Sequence, residues 1–222
     1  MKYTPKQEEE LMTEVWSLNI KDSPLNFVRY IFPWNQEGTP LADFSGPRKW
    51  QEKILRDISI HIQRNQNADI PEMFRLALAS GRGIGKSALV AWLVLWMLST
   101  RIGSTVIVTA NTEQQLRSRT WAELGKWLTL SINGHWFVKT ATTLKPQQWF
   151  EELLIRDLQV DTGYYYAQAQ LWSEENPDAF AGIHSNHGVC LIMDEASGIP
   201  APIYSVSEGF FTEPTENRFW FA

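Results

Sequence analysis

The segment SGRGIGKS combines three glycines with a lysine and a serine directly before a long apolar run. Glycines allow backbone N–H groups to approach phosphate oxygens closely, and the start of a helix favours negative charge. Gly85, Lys86 and Ser87 match the end of the phosphate-loop pattern, whereas Ser80 stands where that pattern has glycine. We predict that the whole segment binds nucleotide phosphates: Ser80, Gly81, Arg82, Gly83, Ile84, Gly85, Lys86 and Ser87.

A second chemical signal is the segment VCLIMDEAS, an apolar run that ends in Asp194 and Glu195. Such a run predicts a buried strand whose acids lie at the carboxyl edge of the sheet, where open α/β sheets bind ligands. There Asp194 and the Ser87 hydroxyl can hold Mg²⁺, Asp194 through water. Glu195 can orient or deprotonate an attacking water, and Lys86 can reach the terminal phosphates. A glycine-rich turn and a strand that merely ends in exposed acids are the structural alternatives.

The two segments together predict a nucleotide hydrolase that uses ATP and Mg²⁺. A glutamate directly after the strand-ending aspartate is typical of one ATPase branch rather than of small GTPases. The sequence also has no Asn-Lys-x-Asp segment, with which GTPases read guanine.

The surrounding pattern alternates strands with helices. Apolar or β-branched runs predict strands in MFRLALAS, GSTVIVTA, HWFVKT, GVCLIMDE and RFWFA, and alternation predicts an edge or half-buried strand in TGYYYAQAQLW. Helices are expected over residues 8–16, from about Pro47, over residues 86–100, from Asn111 or Thr112, and over residues 148–158. Residues 23–41 contain several prolines and are expected to be loop. This order predicts an α/β fold with a mostly parallel central sheet flanked by helices.

Composition sets broad limits. The 222 residues, 44% of them hydrophobic, suit one sizeable domain, and the single cysteine excludes a disulfide framework and favours a reducing compartment. The first residues lack the apolar core of a signal peptide, and the longest apolar run is too short to span a bilayer. The net charge of −5 is uneven: residues 80–156 carry +5 and residues 157–222 carry −9. The total charge therefore does not indicate a nucleic-acid binder, although the basic middle could form a local patch.

Five segments resemble the ATPase domain of the large terminase subunit, the DNA-packaging motor of tailed bacteriophages. They are GPRKWQEKIL, SGRGIGKS with Arg82 inside the loop, TVIVTANTEQQ, DAFAGIHSNHGVCLIMDEASGIP and NRFWFA. The resemblance covers about residues 40–222. It implies a P-loop NTPase fold of the ASCE (RecA/helicase-like) type, with residues 1–45 as an N-terminal extension and residues 46–222 as the ATPase domain.

The resemblance also implies roles for particular residues. Trp50 and Gln51 look like the adenine-recognition element, with Gln51 reading the adenine edge and Trp50 either stacking near it or packing in the core. Arg82 resembles the loop arginine that stabilises charge on the γ-phosphate; an arginine that faces solvent or pairs within the fold is the alternative. Some members supply a second arginine to a neighbouring subunit, for which this sequence offers only scattered candidates: Arg101, Arg117, Arg119 and Arg156.

The implied activity is ATP hydrolysis that drives double-stranded DNA into a procapsid. The implied partners are DNA, the portal protein, the small terminase subunit and further copies in a ring, with a monomer in isolation and no membrane contact. The implied location is the cytoplasm of the infected bacterial host, transiently on the procapsid. The family usually carries a C-terminal nuclease domain, which is expected to belong to a longer protein and is absent from this chain.

Two other functions stay open: a helicase-like DNA translocase, and a nucleotide-dependent assembly module with little turnover. The basic middle could grip the DNA backbone or be a solvated face, through Arg117, Arg119, Lys126, Lys139 and Lys145. His184, His187 and Cys190 provide only three potential ligands, so we expect no structural metal there. Among the tryptophans, Trp92 and Trp96 are expected in the core, and Trp121 and Trp127 half-buried.

Overall fold

In a computed structural model, residues 3–79, 81, 83–180, 182–183 and 185–222 are described. Two residues of the predicted phosphate loop, Ser80 and Arg82, lie outside these ranges, as does His184. The strands are β1 (Phe74–Leu76), β2 (Thr105–Ala110), β3 (Phe137–Lys139), β4 (Thr143–Pro146), β5 (Tyr166–Ala169), β6 (Val189–Asp194) and β7 (Arg218–Phe221). The helices are α1 (Pro5–Val15), α2 (Leu18–Lys21), α3 (Pro24–Ile31), α4 (Lys49–Asn65), α5 (Lys86–Thr100), α6 (Glu113–Gln115), α7 (Trp121–Leu130), α8 (Gln148–Leu158) and α9 (Ala201–Ser207).

All seven strands form one sheet in the order β1-β7-β6-β2-β5-β4-β3. The pairs from β1 through β5 are parallel, and β4 and β3 add an antiparallel end. The predicted α/β class with a mostly parallel sheet is therefore confirmed. β7 lies between β1, which leads into the predicted phosphate loop, and β6, which ends in Asp194, so the two chemical segments come from non-adjacent strands.

Helix α5 is the centre of the domain. Eleven of its fifteen residues are buried, including Trp92 and Trp96, as expected for a helix that is apolar on nearly every side. One face covers the sheet, and helices α3 and α7 pack against others. The N-terminal residues belong to the same hydrophobic core: the rings of Phe32 and Trp34 contact those of Trp92 and Trp127 at centroid distances of 4.8–6.4 Å.

Several local expectations were wrong. Residues 24–31 form helix α3 rather than loop, because Pro24 occupies its first turn, where proline is tolerated, and Ser23 caps it. Of the two alternatives expected for β5, the half-buried strand is confirmed, since burial alternates along it. It is not an edge strand, because it pairs with β2 and β4 on its two sides, and β4 itself was not predicted. Trp121 and Trp127 are buried rather than half-buried. The rings of Phe32 and Trp34, which follow α3, pack on Trp127, and Trp121 donates its indole N–H to the Thr140 carbonyl.

Two buried ionic contacts attach the N-terminal helices to the rest of the domain. Arg101, at the end of α5, donates to Asp22 Oδ1 (2.8 Å) and to the Lys21 carbonyl (2.7 Å), and its guanidinium lies over the Trp96 ring. On the other side, the buried Glu8 carboxylate accepts a 3.0 Å hydrogen bond from Trp136 Nε1 and contacts His135 Nε2. Both contacts join residues about 80 or more positions apart, so they hold the N-terminal helices on the core.

Replacing Glu8 by alanine is expected to lower the free energy of unfolding by about 3 kcal/mol, because the Trp136 N–H and His135 would stay buried without their acceptor. Chemical denaturation monitored by tryptophan fluorescence measures this. Glu9→Ala is the matched control, since Glu9 is the exposed neighbour on the same helix, and its effect should stay within about 0.5 kcal/mol. Equal destabilisation by the two variants would show that the buried carboxylate is not what holds α1.

Candidate functional site

The predicted phosphate loop ends where helix α5 begins. Gly85 is the residue before the helix and has φ +97°, and Gly83 has φ +75°, both in the left-handed region that glycine enters without steric cost. Lys86 is the first residue of α5 and Ser87 the second. The described part of the loop therefore has the backbone form that aims N–H groups and a helix N-terminus at one point, which suits an anion.

Gln51 braces this loop. Its side-chain Nε2 donates to the Gly85 carbonyl at 2.9 Å, and its Oε1 accepts from the Arg48 backbone N–H at 2.8 Å. A Cβ added at Gly85 would lie 3.0 Å from Gln51 Nε2, so the side chain and the loop backbone fit closely. Both ends of the Gln51 amide are thus engaged, and to read an adenine edge Gln51 would have to exchange one of these bonds.

Trp50 lies one residue earlier in the first turn of α4. Its ring is half-buried and packs against the main hydrophobic core, and its buried Nε1 has no hydrogen-bond partner among the described residues. Packing therefore accounts for the position of the ring, whereas the N–H is left without an acceptor.

Asp194 and Glu195 lie at the carboxyl edge of the sheet, as the sequence predicts. Asp194 ends β6 in register with Ala110 at the end of β2, and Glu195 follows in the left-handed conformation with φ +54°. A non-glycine residue is seldom found there, and such backbone is concentrated at functional sites. The next turn is held by Tyr204, whose hydroxyl donates to the Ala196 carbonyl at 2.8 Å.

A cleft of about 440 Å³ joins the two segments, and we call it the sheet-edge cleft. It is lined by residues 76–79 before the loop, by Lys86 and apolar residues of α5, by residues 192–197, and by Tyr204, Phe221 and Ala222. Across it, Lys86 Nζ lies 3.7 Å from Glu195 Oε1, with both side chains partly exposed. Tertiary structure thus brings together three predicted residues, Lys86, Asp194 and Glu195. The other described ones, Trp50, Gln51, Gly81, Gly83, Ile84, Gly85 and Ser87, do not line this cleft.

One neighbour of the site was not predicted. The Thr120 hydroxyl donates to Asp194 Oδ2, although the two residues are 74 positions apart. Thr120 ends a π-helical segment, Leu116–Thr120, that interrupts the predicted helix between α6 and α7. No local pattern marks this threonine, since its role depends on a turn of unusual width and on a contact across the fold.

The remaining candidates fall in different places. Arg101 is buried and bonded within the domain, so it cannot serve a neighbouring subunit, and that hypothesis is wrong. Arg117 and Arg156 pair with Glu113 and Asp157 on the surface, and Arg119 is exposed without an ion-pair partner among the described residues.

The sequence argues against a structural metal at His184, His187 and Cys190, because a fourth ligand is lacking. The structure adds the position of Cys190. Cys190 is buried inside β6, where burial raises the pKa of its thiol.

Within the described ranges, no helix is long and apolar enough to cross a bilayer.

The fold has a solved counterpart. The crystal structure of the HK97 bacteriophage large terminase matches 90% of this chain and 36% of its own, with a TM-score of 0.57 and 12% identical residues. This chain thus spans about a third of that protein's length. Neither a protein-family model nor a curated protein sequence matches the chain. At this identity the likeness is one of fold alone: the described residues share, over most of the chain, the α/β fold of that terminase.

Proposed function

We propose that this chain is the ATP-hydrolysing motor domain of a viral large terminase, which moves double-stranded DNA into a procapsid. The observation that carries the proposal is the meeting of Lys86 with Asp194 and Glu195 across the sheet-edge cleft, at the start of helix α5. Lys86 and the two acids come from distant parts of the chain, and the fold that joins them resembles that of a bacteriophage large terminase.

The residues present fit Mg-ATP. A helix N-terminus and an ammonium group suit the phosphates, and carboxylate and hydroxyl oxygens are the ligands that Mg²⁺ takes, here from Asp194 and Ser87. Magnesium, when bound, would neutralise part of the negative charge that develops on the phosphoryl oxygens. Asp194 Oδ1 has no hydrogen bond to a described residue, so no described group competes with such a ligand for this oxygen.

In this mechanism, Lys86 leaves its contact with Glu195 and binds the terminal phosphates of ATP instead. The 3.7 Å contact between Lys86 and Glu195 puts the two charged groups side by side in the lining of the cleft. Once Lys86 faces phosphate, the Glu195 carboxylate is released to accept a proton from the attacking water or to orient it. Arg82 and Ser80 complete the proposed loop, with Arg82 stabilising charge on the γ-phosphate.

The proposed partners follow from the terminase role: double-stranded DNA, the portal protein, the small subunit and ring neighbours on the procapsid, in the host cytoplasm. DNA contact is assigned to the exposed cations near the site. Arg119 is the best placed, because it is exposed, has no ion-pair partner among the described residues, and adjoins Thr120. Lys126 and Lys139 are less available: Lys126 pairs with Glu123, and Lys139 lies over Trp121, where partial burial lowers the pKa of its ammonium group.

Lys86→Ala and Glu195→Gln are expected to fail at different steps. Lys86→Ala should weaken ATP binding, because it removes the charge that faces the phosphates. Glu195→Gln should still bind ATP but hydrolyse it about 10²–10³-fold more slowly, because the proton acceptor is lost. Phosphate release and binding of a fluorescent ATP analogue separate the two effects, and Glu14→Gln on the exposed face of α1 is the control. Equal hydrolysis by wild type and all three variants would rule out this catalytic site.

Gln51→Ala is expected to reduce ATP affinity about tenfold, the equivalent of one hydrogen bond of ~1.4 kcal/mol, because the loop loses its brace at Gly85. If Gln51 also reads adenine, ATP affinity should fall further than GTP affinity in competition binding. Gln63→Ala, an exposed glutamine on the same helix, should leave both affinities unchanged. Equal losses for ATP and GTP would argue against adenine reading and leave the bracing role.

Arg119→Ala is expected to weaken binding to duplex DNA and to lower the slope of log K against log salt by about 0.9, the amount for one phosphate contact. The measurement is fluorescence anisotropy over a salt series. Arg56→Ala is the control, since this exposed arginine on α4 already pairs with Glu52. An unchanged slope for Arg119→Ala would remove this residue from the DNA contact.

A further inference from the structure

Residues 111–120, which follow β2, contact the end of β6 and the turn after it at two points. At its start, the Asn111 side chain lies so close to Gly198 that a Cβ there would fall 2.0 Å from Asn111 Nδ2. At its end, the Thr120 hydroxyl donates to Asp194 Oδ2. Residues 111–120 are therefore held against residues 194–198 at both ends. A change in the position of Asp194 would move the contact that Thr120 makes with it.

The π-helical turn explains how Thr120 reaches the carboxylate. Leu116–Thr120 forms a π segment, with α6 before it and α7 after it. Thr120 and the next residue, Trp121, are both only 2% exposed, and they enter different surroundings. Trp121 donates its indole N–H to the Thr140 carbonyl, while Thr120 faces Asp194. π turns are rare and are frequently found at functional sites.

The Thr120 hydroxyl makes the one side-chain hydrogen bond that Asp194 has among the described residues. The donated hydroxyl proton holds one carboxylate oxygen and so selects one orientation of the carboxylate plane. Because Oδ2 is held by Thr120, Oδ1 is presented in a fixed position. Groups that orient a metal-binding carboxylate in this way typically change metal affinity by about 10–100-fold when they are removed.

We propose that Thr120 is a positioning residue that sets the Asp194 carboxylate for binding Mg²⁺ with ATP. This rests on the proposed function, since it takes Asp194 as the metal-binding carboxylate. Thr120 touches neither nucleotide nor the reacting phosphate in this assignment, and acts only through Asp194. Its effect is therefore on the magnesium requirement rather than on the loop that holds the phosphates.

The test compares Thr120→Val, which keeps the shape and removes the donor, with Thr120→Ser, which keeps the donor. Thr129→Val is the matched control, because Thr129 lies on α7 and, among the described residues, its hydroxyl bonds only to the Gly125 carbonyl of the same helix. ATP hydrolysis and binding of an ATP analogue are titrated with MgCl₂. Thr120→Val should raise the half-saturating Mg²⁺ concentration about tenfold, while nucleotide binding in EDTA is unchanged. Thr120→Ser and Thr129→Val should retain the wild-type requirement.

A Thr120→Val protein with a lowered melting temperature but the wild-type Mg²⁺ requirement would overturn the assignment and leave Thr120 a packing residue. If that variant does not fold, Thr120→Ala is titrated instead, with the same rise expected and the same unchanged requirement overturning it. Wild-type protein that shows no Mg²⁺-dependent ATP binding would remove the proposed function, and the role of Thr120 with it. Active wild type with an unaffected Thr120 variant would remove the role of Thr120 alone.

Discussion

Helix α5 has almost no polar surface, so it must be covered on every side. The sheet covers one face, α7 another, and the N-terminal helices much of the rest. Burying eleven of its residues fixes the helix axis relative to the strands. Its first residue, Lys86, is thereby set beside the carboxyl ends of β1, β7 and β6. The position of the candidate site follows from this packing, because Lys86 begins the buried helix and its place is set with it.

The same packing places residues 3–41 within the hydrophobic core of the domain. Their aromatic side chains complete the cluster around Trp92 and Trp127, and Asp22 and Glu8 satisfy polar groups that would otherwise be buried without partners. Gln51, in the first turn of α4, then carries this support to the loop through its bond to the Gly85 carbonyl. Gln51 therefore connects helix α4, which packs against the N-terminal helices, to the backbone of Gly85.

On the opposite side of the cleft the two acids are held differently. Asp194 ends a fully paired central strand and receives the Thr120 hydroxyl, whereas Glu195 lies in a strained turn with its side chain partly exposed. A carboxylate held by a hydrogen bond suits a metal ligand, and a more exposed one suits a group that must leave Lys86 and act on water. The architecture thus gives neighbouring acids different surroundings, which is how adjacent residues of the same chemistry can take separate roles.

The sequence by itself determined the strands and helices with strong local patterns. These include the bounds of α5 and α8, the position of Asp194 at a strand end, and the glycine loop before α5. It also determined the fold class, because alternating strands and helices leave few ways to bury their apolar faces. Only tertiary structure decided which residues meet. The interior place of β5, the burial of Trp121 and Arg101, the bracing by Gln51 and the contact of Thr120 with Asp194 all join residues far apart in the chain. Local periodicity carries no information about such pairs, since their energies come from packing and hydrogen bonds that exist only once the chain has folded.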